Sequence, residues 1–137
     1  MTVVVDASVW VAAADTTDRF STVSRDFLRA VIAKPVSIVG PEIVHLEVAC
    51  ALARRTRDPA AARKLGNAVL ALAEVHRTDR VLIAEAIMTG TEMLLRSADA
   101  LYAAVAKRVS GTIVTWDEDL LQRAGAVTPA TWVEKHS

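Results

Sequence analysis

The sequence predicts a three-layer α/β/α sandwich built on a short, mainly parallel sheet. Its apolar runs "VVV", "SIV" and "TIV" are short and continuous, as in strands buried on both faces, rather than alternating as in strands with one wet face. Between them lie longer stretches with the periodicity of helices. Composition agrees: 53% of the 137 residues are hydrophobic and only 4% aromatic, with five glycines and four prolines. Such a core is aliphatic, and the alanine-rich segments favour helices laid on a compact sheet. The length supports one domain across residues 1–137.

The elements follow in order. "TVVVD" reads as a strand running straight into a helix, "ASVWVAAA". Residues 18–34 place Phe20, Val23, Phe27, Val31 and Ile32 on one face, an amphipathic helix. "VSIV" is a second strand. "GPE" opens a third helix, with Pro41 suited to its first turn and a nearly all-apolar body from Glu42 to Thr56. Asp58 and Pro59 start a helix through Val75, and "VHRT" offers a third strand. "DRVLIAEAIMTGTEM" and "SADALYAAVAKRVS" are two more helices, "GTIVT" a strand, "DEDLLQRA" a short helix and "AVT" a last short strand. No repeat, linker or low-complexity stretch divides the chain.

Sixteen basic and sixteen acidic residues cancel, so only local clustering could mark a nucleic-acid partner. Cys50 is the sole cysteine; it predicts no disulfide, a reducing compartment and a small core residue. The first residues lack a basic region, and Asp6 and Asp15 interrupt their apolar run. Neither a signal peptide nor a membrane span is expected, which points to a cytoplasmic protein.

In parallel sheets of this kind a ligand binds beyond the carboxyl ends of the strands, where strand order reverses. Polar residues just after strands are therefore the informative ones. Asp6 interrupts "VVVDASVW" directly after the first strand, and two readings fit it: an N-cap of the next helix or a ligand presented at the sheet edge. Asp117 follows "TIVT" with one residue between. Thr115 and Glu118 have the spacing of a capping box, and Asp117 and Asp119 would also suit a helix N-terminus. Asp99 lies two residues after Ser97, a natural cap, in the first turn of its helix.

Glu47 has no such explanation. It sits mid-helix among Ile43, Val44, Leu46, Val48, Cys50 and Ala51, where a lone carboxylate is costly unless paired or ligated. Arg54 lies beyond i,i+4 reach, although an arginine from elsewhere would serve. Gathered at one sheet edge, these carboxylates would repel strongly without a cation. Oxygen ligands without converging His or Cys suit Mg²⁺ or Mn²⁺ rather than zinc. His45, His76 and His136 have no ligand spacing with one another and read as core or solvated groups.

Four blocks, "VVVDASVW", "PEIVHLEVACAL", "RSADALYAAVA" and "IVTWDEDL", in this order and spacing resemble the PIN-domain ribonucleases, most closely the VapC-type toxins of bacterial toxin–antitoxin pairs. The resemblance spans nearly the whole chain and shows no departure at the acidic quartet, which falls on Asp6, Glu47, Asp99 and Asp117. No motif matches between Arg54 and Val75. The resemblance implies a PIN-like fold and one or two Mg²⁺ or Mn²⁺ ions that activate water against an RNA phosphodiester. It implies Asp6, Asp99 and Asp117 as ligands, with Glu47 either completing the coordination or orienting the attacking water. Ser8 and Thr115 would hold carboxylates in place, and Asp119 falls where many relatives carry a further acid. It also implies a small VapB-like antitoxin in a groove near the acids, and a homodimer. "ASVWVAAA" and "PEIVHLEVACAL" would line that groove, with Trp10 either a contact or plain core.

RNA binding needs positive charge somewhere. The densest basic run holds Arg54, Arg55 and Arg57, followed by Arg63 and Lys64, and Arg96 precedes the Asp99 block. These are candidate phosphate contacts or a solvated face. Three other readings compete. A haloacid-dehalogenase-type phosphotransferase also opens with a strand ending in Asp, but needs a second Asp two residues on, where this chain has Ser8. A catalytically inactive PIN-like interaction module would be expected to have lost acids. A receiver-type signalling domain would want an acidic pair at the first strand and a lysine after the last, and both are missing.

Overall fold

A computed structural model describes residues 1–137. The chain runs β1 (Thr2–Val5), α1 (Ala7–Ala14), α2 (Ser21–Ile32), β2 (Ser37–Pro41), α3 (Ile43–Thr56), α4 (Pro59–Leu72) and β3 (Glu74–His76). It continues through α5 (Arg80–Met93), α6 (Ser97–Val109), β4 (Thr112–Val114), α7 (Glu118–Arg123) and α8 (Pro129–His136). The sheet order is β3-β2-β1-β4 and every pairing is parallel. The strand order therefore reverses beside β1, with β2 on one side and β4 on the other.

Val3, Val4 and Val5 of β1 are 1% exposed or less, which is why that run carries no alternation: helices cover both faces. Helix α6 packs on β1, β2 and β4 and supports α5 on its outer side. Its segment Ala100–Ala106 is buried throughout, and the four alanines in it let the helix lie close to the sheet. Across the core, Phe27 of α2 meets Trp132 of α8 edge-on at 5.3 Å, while α1 packs against α2 and α3. One cluster of 26 buried residues joins these elements. Each fully buried valine in it contributes about 1.5–3 kcal/mol. No helix is long and apolar enough to cross a membrane.

Several expectations are corrected. Pro41 is not in a helix: it ends β2, paired beside His76 of β3. "AVT" forms a single bridge, Val114 with Val127, rather than a strand. Helix α8 has no counterpart in the periodicity, although Thr128 caps it through the Thr131 N–H and Pro129 starts it. In α2 only Phe27 and Val31 of the predicted apolar face are buried; Val23 and Ile32 are exposed. Cys50 is exposed rather than core, because α3 buries only Val44, Val48 and Leu52. Of the two readings of Trp10, plain core is the one the structure bears out, at 3% exposed.

Candidate active site

Asp6 stands directly after β1 and Asp117 three residues after the end of β4, so both emerge at the carboxyl edge of neighbouring strands on the reversal. Glu47 projects from the first half of α3 and Asp99 from the first turn of α6. A cleft of about 340 Å³ is lined by all four, with Ser8, Arg96, Ser97 and Ala98 around them. The fold thus gathers acids separated by up to 111 positions in the chain at a single sheet edge.

Asp6, Glu47 and Asp99 are each held through one oxygen, and Asp117 through both. Asp6 caps α1, and its Oδ2 accepts from the Ser8 hydroxyl at 2.7 Å, the Thr115 hydroxyl at 2.8 Å and the Ser8 N–H at 3.4 Å. Asp117 caps α7 by accepting the Leu120 N–H at 3.2 Å on Oδ1. Its own N–H donates to Thr115 Oγ1 at 2.9 Å. Thr115, fully buried, therefore fixes two acids at once, and the capping box expected between it and Glu118 does not form. The Asp99 helix is preceded by Arg96 at its N-cap, not by Ser97, and no side chain caps it.

Glu47 owes its position to a residue that sequence reasoning missed. The Tyr102 hydroxyl donates to Glu47 Oε1 at 2.8 Å and accepts the Ala7 N–H at 3.3 Å. The signal was present: Tyr102 lies three residues after Asp99 and so shares its helix face. Burial and the Asp6 and Glu47 charges push the Tyr102 hydroxyl well above its ordinary range, so it stays a donor. Trp116 was also missed; it stacks on Phe20 with ring centroids 3.9 Å apart, donates to Ser24 through Nε1, and its N–H binds Ser8 Oγ.

The carboxyls are electrostatically unhappy together. Burial raises Asp6 above its usual range, against the pull of the Ser8 and Thr115 hydroxyls, and the Asp117 charge adds to the rise. Burial likewise raises Glu47, with Tyr102 opposing and Asp6 and Asp99 reinforcing. Asp99 is raised by burial first, with Arg96 holding it partly down. Asp6 Oδ1, Glu47 Oε2 and Asp99 Oδ1 accept no hydrogen bond. They remain within reach of solvent, since the only fully buried unpartnered side-chain N or O atoms belong to His45 and His76. A set of free carboxylate oxygens with raised proton affinity, in a cleft lined by no histidine or cysteine, fits a hard divalent cation.

The tightest convergence is Asp99, Asp117 and Asp119, whose oxygens lie within 4.8 Å of one another. Asp119, expected only to support the others, is thus geometrically their equal. Of the candidate RNA-contacting arginines, Arg96 turns inward onto these aspartates. Arg55 is tied to Asp15 and Asp18, at 3.4 and 2.6 Å. Arg54 and Arg57 are exposed and form no ion pair, and Arg57 closes α3 in a left-handed conformation. A second cleft, about 300 Å³, shares Ala7, Ser8 and Glu47 with the first and extends it to Arg54 and Arg55.

The geometry is that of an acid-lined cleft at the reversal point of a parallel sheet. The chain belongs to the PIN domain family, whose model matches residues 3–126. Its fold is similar to that of PAE2754 from Pyrobaculum aerophilum, at 26% identity and TM-score 0.69 over 98% of this chain and 88% of that one. It is also similar to VapC20 of Mycobacterium tuberculosis, a toxin cleaving the sarcin–ricin loop, at 22% identity and TM-score 0.74 over 91% of this chain and 96% of that one. VapBC2 of Rickettsia felis, bound to a DNA fragment from its promoter, matches at 16% identity and TM-score 0.70 over 93% of this chain and 97% of that one. No curated protein sequence matches the chain.

Proposed function

We propose that this chain is a divalent-metal-dependent endoribonuclease acting as the toxin of a toxin–antitoxin pair, working in the cytoplasm as a single PIN domain. The observation that carries the reading is the meeting of Asp6, Glu47, Asp99 and Asp117 in one cleft, with Asp6, Glu47 and Asp99 each fixed through one oxygen and the other left free. Asp6, Asp99 and Asp117 would hold one or two Mg²⁺ or Mn²⁺ ions, with Asp119 beside them. The chemistry such an ion supplies is a lowered pKa for water and charge neutralisation at the phosphodiester.

The chain's own groups do the rest. Ser8 and Thr115 fix the Asp6 carboxylate, so its free oxygen faces the cleft at a set angle. Tyr102 fixes one oxygen of Glu47 and leaves the other for a ligand or for the attacking water. Glu47 is a stronger base than an ordinary carboxylate because burial raises its proton affinity. Arg54, exposed at the far end of the connected cleft, suits a phosphate of the bound strand, and Arg57 lies just beyond the helix end. The antitoxin and the second copy remain part of the reading. The VapBC-type complexes among similar structures support a small antitoxin partner. The exposed Ile87, Met88 and Leu94 of the α5 region supply apolar surface for a homodimer.

The test is to incubate purified, antitoxin-free protein with total cellular RNA, with Mn²⁺ or Mg²⁺ and with chelator, beside Asp99→Asn. Discrete products requiring both the metal and Asp99 are expected. Cleavage unchanged by the substitution would remove Asp99 from the site. A folded protein that neither cleaves nor binds metal would return the four acids to helix caps and make the inactive interaction module the better reading.

A further inference from the structure

Arg96 stands at the N-cap of α6 with its side chain 65% exposed, yet its guanidinium is engaged on three sides. Nη2 lies 2.7 Å from Asp117 Oδ2 and 3.0 Å from Asp99 Oδ2. Nε donates to the same Asp99 oxygen at 3.0 Å and lies 3.6 Å from Asp119 Oδ2. These are the three aspartates whose oxygens converge within 4.8 Å. A single cation therefore already occupies the tightest acid cluster in the molecule.

A divalent ion entering that cluster must use the same carboxylates. Mg²⁺ holds carboxylate oxygens at about 2.0–2.1 Å, so a guanidinium hydrogen-bonded to those groups would face it at a few ångströms with like charge. Charge-assisted bonds from one arginine to two carboxylates also neutralise much of the repulsion that would otherwise open the cleft. The arginine is not locked in: it is mostly exposed, no aromatic ring stacks on it, and all its ion-pair partners are the cluster itself.

We propose that Arg96 is the built-in counter-cation of the cleft: it holds Asp99, Asp117 and Asp119 together in the metal-free chain and is exchanged out when a divalent ion enters. The proposal rests on the divalent-metal reading of the cleft. It makes Arg96 a competitor of the metal before loading, and leaves its guanidinium at the cleft mouth afterwards. Removal of the side chain then has two effects of opposite sign. Metal binds more tightly, and the metal-free protein becomes less stable. A surface salt bridge with no part in metal exchange would show neither gain in metal affinity nor any dependence on loading.

The experiment titrates Mn²⁺ calorimetrically into the wild-type chain, Arg96→Gln, Arg96→Lys and Arg123→Gln, with thermal melts of each in chelator and in saturating Mn²⁺. Arg123 is the control, because its Nε lies 3.8 Å from Asp119 alone. The expected result is a Mn²⁺ Kd lowered about tenfold in Arg96→Gln, within the usual range of coupling between sites. Its melting temperature should fall in chelator and match wild type in saturating Mn²⁺. Arg96→Lys should lie between the two and carries the comparison if Arg96→Gln fails to fold. Binding by Arg96→Gln alone would also support the proposal. An unchanged or weakened Kd in Arg96→Gln, or an equal gain in Arg123→Gln, overturns it while the wild-type titration leaves the metal reading standing. Absence of Mn²⁺ binding in every chain overturns both.

Discussion

Tyr102 is the residue on which Glu47 depends, since its hydroxyl both donates to the carboxylate and satisfies the Ala7 N–H. Tyr102→Phe removes one hydroxyl and leaves the ring in place. Losing such a supporting hydrogen bond costs roughly 10–100-fold in activity or metal affinity, and the stranded partners cost about 1–3 kcal/mol of stability. Cleavage rates and a thermal melt of the variant check both; unaltered cleavage would detach Glu47 positioning from the chemistry. Protons probe the same cleft. Asp6, Glu47 and Asp99 titrate above their ordinary range in the folded chain, so folding takes up protons at these groups. Their contribution to stability is complete below the unfolded carboxylate range, about pH 4, and is lost as pH rises through the raised folded values. A divalent ion competes with those protons. The rise in melting temperature on adding Mn²⁺ should therefore be larger at about pH 7.5 than at about pH 5.5, where protons compete harder. Equal rises in scanning fluorimetry at the two pH values would separate metal binding from the raised acids.

At the scale of elements, α6 matters most, because its first turn carries Asp99 and its body covers the sheet. It meets α5 where Gly90 faces Ala100: a Cβ on Gly90 would lie 2.6 Å from the Ala100 Cβ. Gly90→Ala gains helix propensity of up to about 1 kcal/mol but overpacks a helix crossing, at a cost of about 1–3 kcal/mol or more. The net expectation is a lower melting temperature together with reduced cleavage, since Ala100 adjoins Asp99. Gly66→Ala is the contrast; there the new methyl meets the His45 carbonyl at 3.2 Å and the Ala49 Cβ at 3.5 Å, a contact that a small shift relieves. Equal melting temperatures for Gly90→Ala and wild type would refute the close crossing. The elements differ in how legible they were. β1 and α4 declared themselves by an unbroken valine run and by the Asp58–Pro59 start. Eight-residue α8 is anchored by a single buried Trp132 and the covered Pro129, too few turns for a period to show. Pro41 has the φ of either a first helical turn or a strand, and its pairing beside His76 decided between them.

For the whole molecule, net charge is zero, so the proposed RNA binding would have to draw on where the charges lie. Arg55 is spent on Asp15 and Asp18 and Arg96 on the acid cluster, which leaves Arg54 and Arg57 as unpaired cations of the basic run. Arg54→Gln with Arg57→Gln should weaken RNA binding without altering the melting temperature. The slope of log affinity against log salt should become shallower by about 1.4, at about 0.7 per phosphate contact on a single strand. Filter binding across salt concentrations measures it, and an unchanged slope would send the RNA path elsewhere on the surface.

The sequence by itself determined the parallel α/β class, the placement of Asp6 and Asp117 after strands, and the oddity of Glu47 on an apolar helix. Those properties are local: they follow from hydrophobic period, strand-end position and the cost of a lone carboxylate among aliphatic neighbours. The tertiary structure decided which partners each group meets across the chain. Tyr102 under Glu47, Thr115 shared between Asp6 and Asp117, Asp119 drawn into the cluster, and the turning of Arg96 and Arg55 onto acids all depend on distances of a few ångströms between residues far apart in sequence. Hydrogen bonds and ion pairs act only over that range, and only the packing of α3, α6 and α7 around β1 and β4 sets it.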